Sequence, residues 1–382
     1  MDLSYTPKQK MIRDTSRAFS RDVLQEYSTE MDRTGSPLPQ NVMDKMAEMN
    51  FWGIQAPIEM GGAGLDSVSY SIVIEEISRV SAATGLAVTV HNSVCLAPIL
   101  LFGTEEQKER LGRDLVTGAR IGGFTVTEPN AGSDAASIQT RAEKKGGSWA
   151  LTGQKAFVTN GGTGGIFLVA ARAGDGGNTG VFIVEKGMPG FEVGKIEDMM
   201  GMRGNMVSEL ILNDVEVPEQ NLLGSVEDGF RISMKALDTG RIGIASQALG
   251  IGMAAYEAAA EYATQRRQFG RSIGKFQGIS FKLAEMKTAL DASRFLIYRA
   301  ASLRDRGLPF SAESAMCKLH ASTAAMDVCR EALQIFGGYG YVRDLPVERY
   351  FRDAKITEIY EGTSEVMKII VGNAILREFG KY

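Results

Sequence analysis

The spacing of apolar residues changes twice along the chain, and these two changes limit the possible folds most strongly. Residues 1 to about 120, and those after about 228, repeat apolar side chains with a helical period. Between them, short runs of alternating apolar and polar residues are separated by glycine-rich turns, as in antiparallel sheets. We therefore predict an α+β protein with three domains: an N-terminal helical domain (1–120), a middle antiparallel β-sandwich or barrel (121–228) and a C-terminal four-helix bundle (229–382).

The same patterns predict individual elements. The N-terminal region predicts helices at 8–27, 41–49, 66–78 and 85–101. The last of these is apolar on nearly every side, which is typical of a buried central helix. The middle region predicts strands at 122–127, 149–152, 155–159, 166–171, 180–185 and 209–217.

The composition excludes some classes of function. With 42 basic and 46 acidic residues among 382, the net charge of −4 leaves no electrostatic footprint for nucleic acid. The three cysteines, Cys95, Cys317 and Cys329, form no C-x-x-C pair, so neither a disulfide framework nor a zinc site is predicted. The first residues show no secretory leader and no apolar run is uninterrupted enough to span a membrane, so we expect a cytoplasmic protein.

Two patterns that look like ligand sites have simpler interpretations. The glycine-rich stretch 161–165 lacks G-x-G-x-x-G spacing and no long helix follows it, so we interpret it as a hairpin loop and not as a dinucleotide fingerprint. His91 and Cys95 are spaced i,i+4, as metal ligands on a helix can be. Because no third ligand cluster accompanies them, buried packing is the favoured interpretation and no metal site is predicted.

The stretch 358–365 contains the best candidate for an acid–base residue. Apolar residues flank it on both sides, so a carboxylate here would be partly desolvated, which raises its pKa toward neutrality. Gly362 permits positive φ, and Thr363 can cap a following helix that has Glu365 in its first turn. Glu361 is thereby predicted at a break between helices, free to reach a ligand. The alternative is that the three glutamates of the stretch, at helical spacing, form a solvated face.

Three further stretches could bind a ligand, and each also has an ordinary structural interpretation. Residues 124–134 place hydroxyls and free amides at a strand end, which suits the edge of a flat heterocycle or a Ser/Asp-rich hairpin. Arg266 and Arg267, with Gln277 a short loop later, could clamp a pyrophosphate or interact with a helix dipole. Residues 334–340 end a helix in glycines, whose N–H groups could bind an anion or form a simple C-cap.

Taken together, these motifs resemble the acyl-CoA dehydrogenase family over essentially the whole chain. The matching stretches are 124–134, which contains VTEPNAGSD, 159–162 (TNGG), 200–204 (MGMRG), 268–270 with 276–277, 334–340 and 360–365. Several independent motifs in the family's order are more specific than any single motif. The helix–sheet–helix plan predicted above is also the fold of that family.

The resemblance implies an FAD cofactor and assigns residues to it. In the middle region these are Phe124, Val126, Thr127, Gly132, Ser133, Phe157, Val158 and Thr159. In the C-terminal region they are Arg266, Gln268, Phe269, Gln277, Gln334, Gly337, Gly338, Thr363 and Glu365. Part of this second set would reach the FAD of a neighbouring subunit, which implies a homodimer or a homotetramer built as a dimer of dimers. The residues expected at the acyl-CoA are Ser133, Asp238, Arg241, Tyr360 and Gly362.

The resemblance also implies the reaction. Glu361 would remove the α-proton of a short acyl-CoA such as butyryl-CoA while the β-hydrogen leaves as hydride to FAD, which gives a trans-2-enoyl-CoA. An electron-transfer flavoprotein would then accept the electrons. Some branches of the family carry the base at the position of Gly240, where this chain has no side chain. Residues 238–250 and 357–365 resemble the short-chain branch most.

The sequence leaves other substrates and functions open. A branched, cyclic or glutaryl-type acyl-CoA is the nearest alternative, although the uncharged run 86–90 offers no cation for a second carboxylate. The same chemistry could run in reverse, as in an enoyl-CoA reductase. A non-catalytic acyl-CoA or protein-binding scaffold is disfavoured because Glu361 accompanies complete flavin motifs.

Overall fold

The computed structural model describes residues 5–173 and 177–380. Its N-terminal region is helical. Its helices are α1 (Pro7–Phe19), α2 (Gln25–Thr34), α3 (Gln40–Glu48), α4 (Ser67–Val80), α5 (Ala82–Val90), α6 (Ala97–Phe102), α7 (Glu105–Gln107) and α8 (Arg113–Thr117). Three π-helical turns, Ser20–Leu24, His91–Leu96 and Lys108–Gly112, join α1 to α2, α5 to α6 and α7 to α8. The four predicted helices are confirmed, although the one predicted at 8–27 continues through α2 to Thr34.

The segment from α5 to α6 is the buried central helix that its composition predicted. Ala82–Phe102 is long and apolar enough to cross a membrane, but 72% of its apolar stretch is buried inside the protein. Its burial identifies it as a core helix. His91 lies at its centre, where Nε2 lies 3.0 Å from the Leu115 carbonyl and Nδ1 accepts the Gly122 N–H at 2.9 Å. Both ring nitrogens are occupied, so the packing interpretation of His91 is confirmed.

The middle region forms one eight-stranded sheet. Its strands are β1 (Gly122–Thr125), β2 (Arg141–Lys145), β3 (Ser148–Val158), β4 (Ile166–Ala173), β5 (Asn178–Glu185), β6 (Phe191–Ile196), β7 (Ser208–Pro218) and β8 (Leu222–Leu223). They are ordered β6-β7-β3-β2-β4-β5-β8, and β1 pairs with β4. Most pairs are antiparallel, as predicted, but β4 is parallel to both β1 and β2.

The sheet differs from the sequence prediction in three places. The runs 149–152 and 155–159 form the single strand β3, whose pairing with β7 shifts register around Gly153. The strands β2, β6 and β8 were not predicted: β2 has one apolar residue, Ala142, and β6 is a half-exposed edge strand without alternating burial. The hairpin prediction for 161–165 is wrong because β2 lies between the two strands that this loop joins.

The C-terminal region is a bundle of long helices. They are α9 (Gly229–Gln265), α10 (Gln277–Asp305), α11 (Ser311–Phe336), α12 (Val347–Ile356) and α13 (Ser364–Phe379). The short hairpin β9 (Arg267–Gln268) and β10 (Arg271–Ser272) separates α9 from α10. The helix α9 is central, since it contacts α4, α5, α10, α11 and α12. It therefore joins the bundle to the N-terminal helices.

Close packing between α9 and α4 depends on a glycine. A methyl group at Gly250 would overlap the Glu75 carbonyl oxygen and would lie 2.8 Å from Ser78 Cβ. Neither neighbour can move without moving the backbone of α4. The absence of a side chain at this position therefore sets the distance between the two helices.

We expect Gly250→Ala to destabilise the protein because the added methyl group must push α4 and α9 apart. Overpacking of this kind costs about 1–3 kcal/mol, so the thermal unfolding midpoint should fall. Gly372→Ala is the matched control, since a Cβ at Gly372 in α13 meets nothing within 4 Å. The control should raise stability by up to about 1 kcal/mol. Equal midpoints for the two variants would contradict the close-packing interpretation.

Candidate active site

Glu361 occupies a sharp break between α12 and α13. Its backbone φ is +54° and that of Gly362 is +99°, so two consecutive residues are left-handed. Thr363 then begins α13, where its hydroxyl accepts the Val366 N–H at 3.2 Å. A left-handed residue with a side chain costs roughly 1–2 kcal/mol, and such strain persists only where the surroundings hold it. The predicted break between helices is confirmed.

Glu361 is half-buried, and one oxygen of its carboxylate points into the bundle. Its Oε2 atom is buried and has no hydrogen-bond partner in the described residues. Gly240 of α9 lies directly against it, because a methyl group at position 240 would overlap Oε2 and would lie 2.9 Å from Val94 Cγ1. The missing side chain at 240 is therefore the space that the Glu361 carboxylate fills.

Burial raises the pKa of Glu361 to about 7, against the opposing effect of two cations, Arg241 and Lys318. An orphaned carboxylate oxygen with a pKa near neutrality can accept a proton from a bound ligand. The buried position of Oε2 argues against the solvated alternative for Glu361. The Glu361 backbone N–H likewise donates to no group in the described part of the chain.

The two cations are held by different partners. Lys318 of α11 is fully buried and donates from Nζ to the Gly362 carbonyl oxygen at 2.7 Å, and burial lowers its pKa to about 8. Arg241 is 5% exposed and donates to Asp238 Oδ1 at 2.6 Å, which also accepts the Ser311 hydroxyl at 2.9 Å. Arg241 thus lies inside the bundle, and its expected contact with the CoA arm stays a prediction.

An apolar residue of the central helix, Val94, lies beside Glu361. Leu86, Val90 and Val94 step by four residues, are buried, and belong to the same apolar cluster as Ile242 of α9. The half-buried Tyr360 and Phe124 pack against this cluster. The Tyr360 hydroxyl donates to the Gln247 side-chain oxygen.

The predicted flavin residues of the middle region lie at the end of β1, in the segment that follows it, and at the end of β3. The Phe157 side chain is 62% exposed with φ of +55°, and the Ala156 N–H donates to the Thr127 carbonyl at 3.0 Å, which brings the two strand ends together. Gly132 and Ser133 are exposed, and Thr159 is half-buried. Val158 differs, since its side chain packs in the sheet core and only its backbone could contact a ligand.

A buried ion pair fixes these two strand ends. Lys155 Nζ lies 2.7 Å from Glu128 Oε1 and 3.0 Å from the Val126 carbonyl oxygen. The Glu128 carboxylate also accepts the N–H groups of Gln139 and Thr140 at 2.5 and 2.9 Å. Burial would raise the pKa of Glu128, but these bonds lower it below its ordinary value, and burial lowers the pKa of Lys155 to about 8.

Apart from Thr363 and Glu365, which follow the Glu361 turn, the second predicted flavin set lies elsewhere in the chain. An apolar groove of about 690 Å³ at the end of the bundle is lined by five of its residues, Arg266, Gln268, Phe269, Gly337 and Gly338. Gln277 and Gln334 are exposed beside it, and Phe269 is 92% exposed. From Lys318 to Gln334 the helix rises about 24 Å at 1.5 Å per residue, and from Gly240 to Arg266 about 39 Å. One chain therefore does not bring this groove to Glu361.

Sequence reasoning missed two buried lysines: Lys318, beside the Glu361 turn, and Lys155, beside the predicted flavin residues of the sheet. Lys318 lies on the apolar face of α11, between the buried residues Ala315 and Ser322. A lysine on an apolar face is the signal that could have identified it, since lysine is almost never fully buried without a partner. Lys155 gave a similar signal within a strand of the sheet, but its partner Glu128 is 27 residues away in sequence.

Family models match nearly the whole chain. The N-terminal, middle and C-terminal domains of acyl-CoA dehydrogenase match residues 6–119, 123–215 and 227–376. The short-chain specific acyl-CoA dehydrogenase of Clostridium acetobutylicum is 44% identical over 380 residues, which is 99% of this chain and 100% of that protein.

Two solved structures have the same fold. Butyryl-CoA dehydrogenase from Megasphaera elsdenii is 43% identical with a TM-score of 0.96, and the match covers 99% of this chain and 100% of that one. A chain from the study of the electron transferring flavoprotein of Acidaminococcus fermentans, which concerns flavin-based electron bifurcation, is 47% identical with the same TM-score and coverage.

The chain belongs to the acyl-CoA dehydrogenase family and is an FAD-dependent oxidoreductase. Among the members of that family, its relatives include enzymes specific for short acyl chains. The residues present fit FAD, because an exposed aromatic ring at Phe157 and free polar groups at the strand ends suit a flat heterocycle with a polar edge. Gly132 also leaves its surroundings open, with nothing within 4 Å of a Cβ placed there.

We expect Lys155→Met to lower both stability and FAD retention, because it leaves the Glu128 carboxylate buried without its partner. Removing one member of a buried pair costs about 3–5 kcal/mol. Lys144→Met is the matched control, since Lys144 pairs with Glu219 at the surface, where a pair contributes about 0–1 kcal/mol. Thermal unfolding and flavin absorbance per protein measure the two effects. A Lys155→Met protein as stable and as yellow as the control would contradict the role of the pair.

Proposed function

We propose that this protein is a short-chain acyl-CoA dehydrogenase that oxidises a butyryl-CoA-like thioester to its trans-2-enoyl-CoA, with Glu361 as the catalytic base. The observation that carries the proposal is the buried Oε2 atom of Glu361, which has no partner in the described residues and fills the space at Gly240. Burial also raises the pKa of the Glu361 carboxyl group to about 7. An α-hydrogen next to a thioester is a weak acid, so its removal needs a base of this kind.

The residues around the turn would each have a separate task. When bound, FAD supplies the acceptor for the β-hydrogen, which leaves as a hydride. The Glu361 carboxylate takes the α-proton, and the free Glu361 N–H donates to the thioester oxygen, where negative charge develops. The apolar residues that pack beside the turn exclude water. This keeps the Glu361 carboxylate basic and strengthens the hydrogen bond to the negative thioester oxygen.

The acyl group would be short and uncharged. Val94 lies beside Glu361 and belongs to an apolar cluster that also contains Leu86 and Val90, and the run 86–90 carries no cation. A dicarboxylate substrate would find no cation on this run for its second carboxylate, which disfavours a glutaryl-type acyl-CoA. The relatives specific for short chains and for butyryl-CoA support the same choice.

The complete site would need two copies of the chain. The groove formed by Arg266, Gln268, Phe269, Gly337 and Gly338 is too far along the bundle to meet a cofactor at Glu361 of its own chain. In the proposed homodimer, which would pair again into a homotetramer, this groove contacts the FAD of the partner. Gln277 and Gln334 join it there. Thr363 and Glu365 remain with the FAD of their own chain.

An electron-transfer flavoprotein would reoxidise the enzyme. The 47% identity with a chain from the study of such a flavoprotein in Acidaminococcus fermentans supports this partner.

Anaerobic titration of the purified protein with butyryl-CoA tests the proposed function. We expect the flavin absorbance to bleach, and butyryl-CoA to bleach it faster than hexanoyl-, isobutyryl- or glutaryl-CoA. Glu361→Gln should keep its FAD but slow bleaching about 10²–10⁴-fold, the typical contribution of a general base. A Glu361→Gln protein of full activity would rule out the base assignment, and a yellow protein that no acyl-CoA bleaches would rule out the substrate.

The pH dependence of kcat/KM for butyryl-CoA should report the pKa of Glu361. Only the carboxylate form accepts a proton, and burial raises its pKa to about 7, so activity should rise with pH through about 7. At pH 6 it should be about tenfold below the plateau. The flavin content measured at each pH is the control. A rise centred near pH 4.5 would mean that the active base is not in the buried environment described here.

A further inference from the structure

Lys318 is an unusual lysine because its side chain is fully buried among the helices of the bundle. It lies in α11, and its Nζ donates to the Gly362 carbonyl oxygen at 2.7 Å. Among the described residues Lys318 forms no salt bridge, and the carboxylates of Glu361, Glu358 and Glu365 act on it only at longer range. A buried ammonium group without a direct counter-ion is costly, so an effect on stability alone does not explain it.

The one hydrogen bond that the Lys318 side chain makes in the described residues goes to the left-handed turn at Glu361 and Gly362. Glu361 and Gly362 are both left-handed, and the carbonyl that Lys318 holds belongs to the second of them. On the other side of the same turn, a Cβ at Gly362 would lie against the Met367 side chain. The turn is thus held by Lys318 at its carbonyl and by packing at its Cα.

The charges around the turn favour an ionised Glu361. Burial lowers the pKa of Lys318, and the nearby charge of Arg241 lowers it further. The carboxylates of Glu361, Glu358 and Glu365 oppose this by favouring the charged ammonium. The groups that face Glu361 are the cations Arg241 and Lys318 and the neutral phenols of Tyr70 and Tyr360. Arg241 already shares its charge with Asp238. Lys318 is therefore the cation whose only hydrogen-bond partner in the described residues is the turn of Glu361 itself.

We propose that Lys318 is a positioning residue for the base: its ammonium group fixes the Glu361–Gly362 turn and its positive charge favours the carboxylate form of Glu361. This inference rests on the proposed function for its meaning in catalysis. The effect of Lys318 on the ionisation of Glu361 can be measured without a substrate.

The first test measures that ionisation through stability. Burial raises the pKa of Glu361 from its ordinary 4.5 to about 7, so the folded protein loses stability as pH rises between these values and then levels off. Glu361→Gln removes this loss. The gap in unfolding midpoint between Glu361→Gln and the parent should therefore grow with pH and level off near pH 7.

The same gap in unfolding midpoint is then measured between Lys318→Met and the double variant Lys318→Met/Glu361→Gln. Without the Lys318 charge, the pH at which the gap levels off should rise by half a pH unit or more. Lys318→Gln, which keeps a donor but no charge, gives the same comparison if the methionine variant does not fold. Lys287→Met is the control, since Lys287 is a partly exposed lysine of α10 that pairs with Asp291. Identical pH dependence of the gap with and without the Lys318 charge would overturn the proposal.

The second test measures catalysis with butyryl-CoA. In Lys318→Met holoenzyme with normal FAD content, kcat at pH 7 should fall at least tenfold while KM changes less than threefold, and the rising limb of the pH profile should shift upward. An unshifted limb would overturn the proposal, whatever the loss of rate. If the parent itself bleaches with no acyl-CoA, the proposed function fails, while the stability measurement still decides the role of Lys318.

Discussion

The active site depends on one backbone constraint, the left-handed turn formed by Glu361 and Gly362. A residue with a side chain avoids this conformation, so the helices around the turn must supply the energy that holds it. α9 contributes an empty position at Gly240, α11 contributes the Lys318 hydrogen bond, and α13 begins at once with the Thr363 cap. The long bundle helices are therefore the frame that keeps a short strained segment in place.

Burial acts on the acidic and basic groups of this protein in opposite directions. The same loss of hydration raises the pKa of Glu361 to about 7 and lowers those of Lys318 and Lys155 to about 8. The Glu361 and Lys318 values approach each other because both groups share one water-poor region. The ionisation of each group is therefore sensitive to the charge of the other. Glu128 avoids this sensitivity, since three hydrogen bonds stabilise its charged form.

Much of the architecture could be predicted because helical and alternating patterns are local. The buried helix 82–102 and the break at Glu361 both follow from residues that are neighbours in sequence. The strand β2 could not be predicted, since four of its five residues are polar and its pairing is decided by the strands on either side. Lys318 and Lys155 were missed for a related reason: their partners lie 44 and 27 residues away. The roles of the flavin residues came from motif resemblance and stay predictions.

The distance between Glu361 and the groove at the far end of the bundle affects how mixed assemblies behave. In the proposed dimer, each cofactor takes its base from one chain and its groove from the other. If one chain had a defective Glu361 and its partner a defective groove, one site would carry both defects. The other site would combine the intact parts of the two chains. Two inactive chains could thus assemble into a dimer with one complete site.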